Sequence, residues 1–443
     1  MHATQRTISF NSFTLALAGA LAGSACEEQI LEQDTDAPLG DSSGRVEDES
    51  VEPATVTPGA SAGLDEFAEP TVSNGACPAN LARYVAVDAS LGAHALALSE
   101  EGVVWAWGRN SRGQLGIGQI NMFKNKPQQV TGIPTRVVGV AAGENHSLAL
   151  DEYGKVWAWG EGSSGQLGGG SWSASPTPKQ VTLSANVVAI AAGGAFSLAL
   201  DDLGRVWAWG GNTYGQLGNG GTLNSSTPKL VTSTTGCGSF DAIAAGGEFA
   251  VALSGGQVCA WGRNNRGQLG SASPSYRATA AVVQGISGAF KVTAGKEYVI
   301  ASAPGPTGWG DNSAGQLGKG DGAPSWYASP VSVGSGGFNF RHADTGSSHT
   351  LLGYGGGFSP QPPGLGFLSS AGSNGYGQLA RTAPNPSRTF GSLQRIGSAT
   401  AAGADFTLLI EGKTVKAAGK NTEGQLGDGT QVSTTLFTNV CLP

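Results

Sequence analysis

Apolar and small residues recur along this chain in short runs at fixed spacing. The stretch VGVAAGENHSLALDEYGKVWAWG (138–160) holds three of them: an apolar run ahead of a glycine, a Ser-Leu-Ala-Leu run after it, and Val-Trp-Ala-Trp. AIAAGGAFSLALDDLGRVWAWG (189–210) repeats the order. Runs of this length read as strands, with Asp-Glu-Tyr-Gly and Asp-Asp-Leu-Gly as the hairpin turns between the last two. A further strand precedes each preamble, as at residues 127–130 and 228–231. The unit is therefore four short strands.

Each unit carries a second signature. WGRNSRGQLG (107–116) returns as WGEGSSGQLG (159–168), WGGNTYGQLG (209–218), WGRNNRGQLG (261–270) and WGDNSAGQLG (309–318), then as AGSNGYGQLA (371–380) and AGKNTEGQLG (418–427). The glycine before Gln-Leu falls at 113, 165, 215, 267, 315, 377 and 424, at intervals of 52, 50, 52, 48, 62 and 47 residues. A period near fifty marks a repeat architecture. Seven repeats of four strands predict an all-β, seven-bladed β-propeller. Arg109 and Arg112 look like phosphate ligands in the first copy, but Glu161 and Ser164, Gly211 and Tyr214, and Asp311 and Ala314 replace them elsewhere. What persists is the glycine, suited to a turn at positive φ, the glutamine, able to bond backbone groups, and the leucine, able to enter a blade core.

The G-x-x-H-S-L-A-L … W-G-x-N-x-x-G-Q-L-G frame resembles the regulator of chromosome condensation repeat family, over about residues 81–440 and all seven repeats. The resemblance implies the seven-bladed propeller. It leaves activity open, because one fold hosts many functions. Family members include an exchange factor for the GTPase Ran, ubiquitin-ligase modules and a secreted bacterial inhibitor of β-lactamase. Exchange-factor members act through a wedge inserted in an early blade. Residues 209–262 have ordinary length and hold no such insertion.

The chain starts and stops mid-repeat. Residues 434–440 match the strand that precedes a preamble and 81–87 match its first strand, so the two ends are expected to meet and complete the seventh repeat. Cys77 and Cys441 map to nearly the same spot of the repeat and are expected to staple that seam. Cys237 and Cys259 fall within one repeat and could form a second bridge. Cys26 is then the remaining one of five cysteines.

Charge divides the chain. Residues 27–76 carry thirteen acidic groups and one basic group, whereas 77–443 carry nineteen acidic and twenty-three basic. The acidic segment has few large apolar groups and reads as a disordered tether (26–76) ahead of the propeller (77–443). The nearly neutral body gives no basic stripe for nucleic acid. Residues 1–25 have the layout of an export signal: Arg6, an apolar run from Phe13 to Leu21, then Gly23, Ser24 and Ala25. The small-residue run ending at Cys26 resembles the lipobox of bacterial lipoproteins, although Gly23 stands where leucine is usual. The alternative is a plain signal peptide cleaved near Ala25. Glu27, in place of aspartate, points by the same resemblance to the outer membrane. A lipid anchor at Cys26 is the expected membrane contact, with a monomeric propeller in the cell envelope or secreted.

Chemistry is sparse. His94, His146 and His349 share one repeat position with Phe196, Phe249, Tyr298 and Phe406, which points to packing or bonding within a blade. His342 reads as a lone loop histidine, and His2 lies in the signal. There is no H-E-x-x-H, no zinc spacing of cysteines and no G-x-S-x-G, and GKGDG (318–322) lacks the end of a phosphate loop. No cofactor, metal or catalytic residue is expected. The loops after each Gln-Leu-Gly vary most and are expected on one rim. They offer Met122, Phe123 and Lys124, Trp172, Tyr276 and Arg277, and Trp326 and Tyr327, aromatic and cationic groups favoured at protein interfaces. Covering a blade edge is the competing role for these rings. Trp172 and Trp326 also suit a carbohydrate-binding propeller. Repeat six is lengthened at GYGGGFSPQPPGLGFLSS (353–370), a recognition loop or tolerated decoration.

Overall fold

A run as short as Val-Trp-Ala-Trp is not stable alone. In the computed structural model of this protein, each lies third in a four-stranded antiparallel meander. The structure describes residues 82–442 apart from Ser90, Thr235, Pro304, 335–339 and 356–365. The predicted signal, the tether, Cys26 and Cys77 lie outside the described residues. Twenty-eight strands and no helix occur among those residues, grouped as seven four-stranded sheets, β1 to β28 in chain order. This is the expected propeller.

The innermost strands are β1 (Tyr84–Asp88), β5 (Val137–Ala142), β9 (Val187–Ala192), β13 (Ala242–Ala245), β17 (Lys291–Ala294), β21 (Phe340–Thr345) and β25 (Ala399–Ala402). Each lies beside the next, and β25 lies beside β1, which closes the ring. One end of the central channel is walled largely by alanines, with Asp88, Thr293, Asp344 and Thr400 among them. Asp88 Oδ2 accepts the N–H of Ala142 at 3.0 Å, capping a donor on the free edge of the next blade's inner strand. His342 sits within β21, not in a loop as the sequence suggested. Its strand reads Phe-Arg-His-Ala-Asp-Thr, whose polar residues hide the apolar run that marks the other inner strands.

Repeat and blade are out of phase. The outer strands, among them β4 (Phe123–Gln129), β8 (Ser175–Gln180) and β12 (Ser225–Leu230), pair with the Trp-bearing strand before them, not with the preamble after them. Likewise β28 (Thr434–Asn439) pairs with Thr414–Gly419 of its own blade. The termini do meet, since Tyr84 and Val87 share a core cluster with Val440 and Leu442. They meet as two complete blades packed together, however, and share no sheet. The reason is local: the Gly-Gln-Leu turn reverses the chain directly back onto the strand it has just left.

That turn also binds the ring. Gly113 has φ 80°, and a β-carbon there would lie 2.8 Å from Pro176 Cα in the outer strand of the next blade. Leu115 is fully buried. Gln114 Oε1 accepts the N–H of Arg112 at 2.8 Å, while its backbone carbonyl accepts the indole N–H of Trp159, also at 2.8 Å. The same indole-to-carbonyl bond joins Trp209 to Gln166, Trp261 to Gln216 and Trp309 to Gln268, each at 2.9 Å. Trp107 bonds Gln425 at 2.9 Å and so latches the last blade to the first. Blades six and seven have Ala371 and Ala418 in the tryptophan position, and Gly318 instead lies against the ring of Phe390.

The histidine position acts between blades, not within one as expected. His94 Nε2 lies 2.9 Å from Ser147 Oγ, His146 Nε2 2.9 Å from Ser197 Oγ, and His349 Nε2 2.9 Å from Thr407 Oγ1. Each hydroxyl donates onward to the carbonyl of Gln114, Gln166 or Gln378. With its proton so used, the hydroxyl must accept from Nε2–H, which fixes the histidine tautomer and leaves Nδ1 bare. Nδ1 is buried without a partner in all three. The remaining interfaces obey the same pairing rule. Phe196 shares a cluster with Ala250, Phe249 with Val299 and Phe406 with Ala95, while the Thr350 hydroxyl donates to Tyr298 Oη at 3.0 Å. A polar ring always faces a hydroxyl, and an apolar ring a methyl.

Cys237 and Cys259 form a disulfide that ties the connection entering blade four to that blade's third strand. Cys441 is buried and engaged in a disulfide, and its expected partner Cys77 lies outside the described residues.

Candidate functional site

The meander places two kinds of loop at one end of the ring: the tight turns between first and second strands, and the variable loops after Gly-Gln-Leu-Gly. The Asp-x-x-Gly hairpins and the connections between blades share the other end. The first end is the loop rim. Insertion 353–370 belongs to the opposite rim, because Tyr354 pairs with Phe367 and Gly355 with Gly366, continuing the hairpin of blade six. Its remaining residues, 356–365, lie outside the described ones.

The loop rim begins with a fixed scaffold. Asn110 Oδ1 accepts the N–H of Leu115 at 3.0 Å, and Asn212, Asn264, Asn312, Asn374 and Asn421 repeat the bond. On this scaffold the charged positions that vary between copies reach across blade boundaries. Arg109 Nε lies 3.5 Å from Glu423 and Arg112 Nε 3.7 Å from Glu161. Arg266 Nε lies 3.8 Å from Glu297, and the Arg263 guanidinium stacks 4.9 Å from the Tyr214 ring. Exposed pairs of this kind contribute about 0–1 kcal/mol each. Their main consequence is that the arginines of the decamer are already engaged.

The variable loops then open outward. Phe123 begins β4 opposite Arg109 and is half-buried. Trp172 stands exposed in the loop before β8. Tyr276 and Arg277 begin β16 (Tyr276–Val282), the tyrosine exposed and the arginine half-buried. Trp326 and Tyr327 begin β20 (Trp326–Ser332). Trp326 is partly exposed with its ring edge beside Gly267 of the preceding blade, and Tyr327 packs against a core cluster. The structure thus brings all six residues to one rim but spreads them over blades one, two, four and five. Leu223 and Val432, not singled out from the sequence, stand exposed in the corresponding loops of blades three and seven. With Met122 they complete a crown: Met122, Trp172, Leu223, Tyr276, Trp326 and Val432, one exposed apolar side chain from each of six blades. Single exposed apolar residues are ordinary. Six in the same loop, each one to three residues ahead of the residue paired with the glycine of the third strand, are not.

Inside the crown, near the mouth of the channel, lies a hollow of about 240 Å³ lined by Glu144, Gly194, Ala195, Gly247, Glu248, Arg263, Gln268, Lys296 and Glu297. Most of these belong to the first turns, whose two variable residues sit between an invariant glycine and the histidine or aromatic ring. The signal was therefore in the sequence, hidden between invariant positions. His94, His146 and His349 are not part of it. Burial, with His146 nearby as a lesser cause, holds His94 down at about 3, and burial alone holds His146 and His349 at about 4, so all three are neutral spacers. No group of three or more His, Cys, Asp or Glu side chains placed to hold a metal ion occurs among the described residues.

A closed ring of seven meanders, latched by tryptophan to the Gly-Gln-Leu turn of the neighbouring blade, defines the class: residues 41–352 match the RCC1-like domain, and the chain belongs to that family. Among curated relatives, Protein RCC2 of Homo sapiens is 42% identical over 107 residues, 24% of this chain and 20% of that protein. The match therefore spans a fifth of that relative's length. Among solved structures, Prp20p from Saccharomyces cerevisiae superposes with a TM-score of 0.68 at 22% identity, covering 77% of this chain and 87% of that one. Yeast RCC1 (Prp20) bound to Kap60 superposes at 0.67 with 20% identity, covering 79% and 85%.

Proposed function

We propose that this chain is a non-catalytic protein-binding propeller, held in the cell envelope by a lipid on Cys26 and docking its partner on the loop rim. The observation that carries the reading is the crown, since an exposed apolar side chain recurs in the same loop of six of the seven blades. Large aromatic and aliphatic groups of this kind dominate binding energy at protein interfaces. The structural neighbours agree in kind: yeast RCC1 is seen bound to Kap60, and Prp20p is described with binding properties to Gsp1p and histones. A sugar platform built from Trp172 and Trp326 together is disfavoured, because they stand on blades two and five.

Cross-linking the full-length protein in its native envelope tests the reading. A specific protein partner is expected with the wild type and is lost on combining Trp172→Ala with Trp326→Ala. Recovery of the same partner by that variant would place docking elsewhere. Metabolic labelling with a radioactive fatty acid tests the anchor, with incorporation expected in the wild type and none in Cys26→Ala.

A further inference from the structure

We infer that the hollow on the loop rim is a receptor for one basic side chain, arginine or lysine, presented by a loop of the protein partner. The inference rests on the protein-binding reading above and adds what the partner must offer.

Its floor is made by two glycines that admit nothing larger. A β-carbon on Gly194 would lie 2.5 Å from Gly247 O, and one on Gly247 would lie 2.8 Å from Lys296 O. Neighbouring turns approach this closely because they are bonded to each other, Gly194 N–H to Gly247 O at 3.1 Å and Gly247 N–H to Lys296 O at 3.0 Å. With Ala195 beside them, blade three contributes little side-chain bulk here, whereas Glu144 on blade two, Glu248 and Arg263 on blade four and Lys296 on blade five rise at the edges. At about 240 Å³ the space is below the usual size of a small-molecule pocket but accommodates one long side chain.

The charges select the occupant. Three carboxylates, Glu144, Glu248 and Glu297, face two cations, Arg263 and Lys296. Arg263 is already committed, with Nη1 2.5 Å from Glu248 Oε2 and 3.7 Å from Glu297 Oε1. Arg266 adds a second cation to Glu297 at 3.8 Å. Glu144 has no ion-pair partner among the described residues, and its Oε2 stands 3.6 Å from where a Gly194 β-carbon would be. Glu248 and Glu297 are balanced by Arg263 and Arg266, so the carboxylate left to accept a cation is Glu144, over the bare floor of Gly194. Lys296 on the far wall has no ion-pair partner among the described residues either, and it would pair with an acidic neighbour of the inserted residue.

The test uses the full chain labelled with ¹⁵N-glycine and three probes: the N-acetyl methylamides of arginine, lysine and aspartate. Arginine or lysine is expected to shift the Gly194 and Gly247 amide signals saturably. Glu144→Gln should weaken that binding about tenfold, as loss of one charge-assisted hydrogen bond does. Lys296→Gln should leave it unchanged or tighter. The inference is overturned if the basic probes give no saturable shift, if Glu144→Gln binds them as the wild type does, or if only the aspartate probe binds. Partner cross-linking that still depends on Trp172 and Trp326 would then preserve the protein-binding reading while this receptor fails.

Discussion

Converting the His146–Ser197 contact to phenylalanine and alanine should make the propeller less sensitive to acid. The double variant His146→Phe, Ser197→Ala installs the pair that blades three and four already use at Phe196 and Ala250. In the wild type, burial lowers the histidine from its ordinary 6.5 to about 4. The native state thus refuses a proton that the unfolded chain accepts, because protonation at Nδ1 would bury a cation with no acceptor. The stabilisation from the neutral ring is complete above about pH 6.5 and falls away as pH drops through the interval down to about 4. At pH 5 the loss is about 2 kcal/mol, and well below pH 4 it is about 3 kcal/mol. Urea unfolding of both proteins at pH 7.5 and pH 5.0 measures it. The fall in stability between the two pH values should be smaller in the double variant by about 2 kcal/mol. An equal fall in both proteins would refute the reasoning. The single variant His146→Phe should show nearly the same relief, since Ser197 Oγ keeps its bond to Gln166 O at 2.9 Å.

Three further outcomes are expected. Gly215 and Gly220 both have positive φ, 75° and 84°. A β-carbon on Gly215 would lie 2.6 Å from Ala278 Cα, whereas one on Gly220 would meet nothing within 4 Å. Gly215→Ala should therefore be more destabilising than Gly220→Ala by about 2 kcal/mol, the usual scale of forced overpacking. Thermal or urea unfolding of the pair decides it, and equal losses would mean that the close approach does not matter. The Cys237–Cys259 bridge closes a sequence separation of 22. Replacing both cysteines by alanine should cost about 3 kcal/mol, read as a lower urea midpoint under non-reducing conditions. Finally, the strands around Ala371 and Ala418, which lack the indole latch, should exchange amide hydrogens sooner than those beside Trp159 and Trp209. Uniform protection around the ring would argue that the latch contributes little.

The sequence disclosed whatever every copy must repeat. Gly113, Gln114 and Leu115 recur because three demands coincide there: a left-handed turn, a carbonyl aimed at the next indole, and a leucine for the core. Strand-to-blade assignment was not legible, because order along the chain does not say which side of the turn an outer strand rejoins. His342 was misplaced for a related reason, its strand having lost the apolar run that identifies the others. The pairing of rings with hydroxyls or methyls was written in the sequence as a match between adjacent copies. It becomes readable only once the blades are known to touch in that order. Of the candidate site, the protruding rings of Trp172 and Trp326 were visible as bulky residues in variable loops. The hollow was not, because its floor consists of glycines and its walls mostly of residues at the two variable turn positions, gathered from separate blades.

The latch from Trp107 to Gln425 spans a sequence separation of 318. While the chain emerges from the ribosome, the first blade displays an indole whose acceptor has not yet been made. At roughly 5–20 residues per second the wait is roughly 16 to 64 s. Every other tryptophan in the series finds its carbonyl already synthesised, about one repeat upstream. The first blade to appear is therefore the last to be finished, and a chain that stalls late exposes its oldest part.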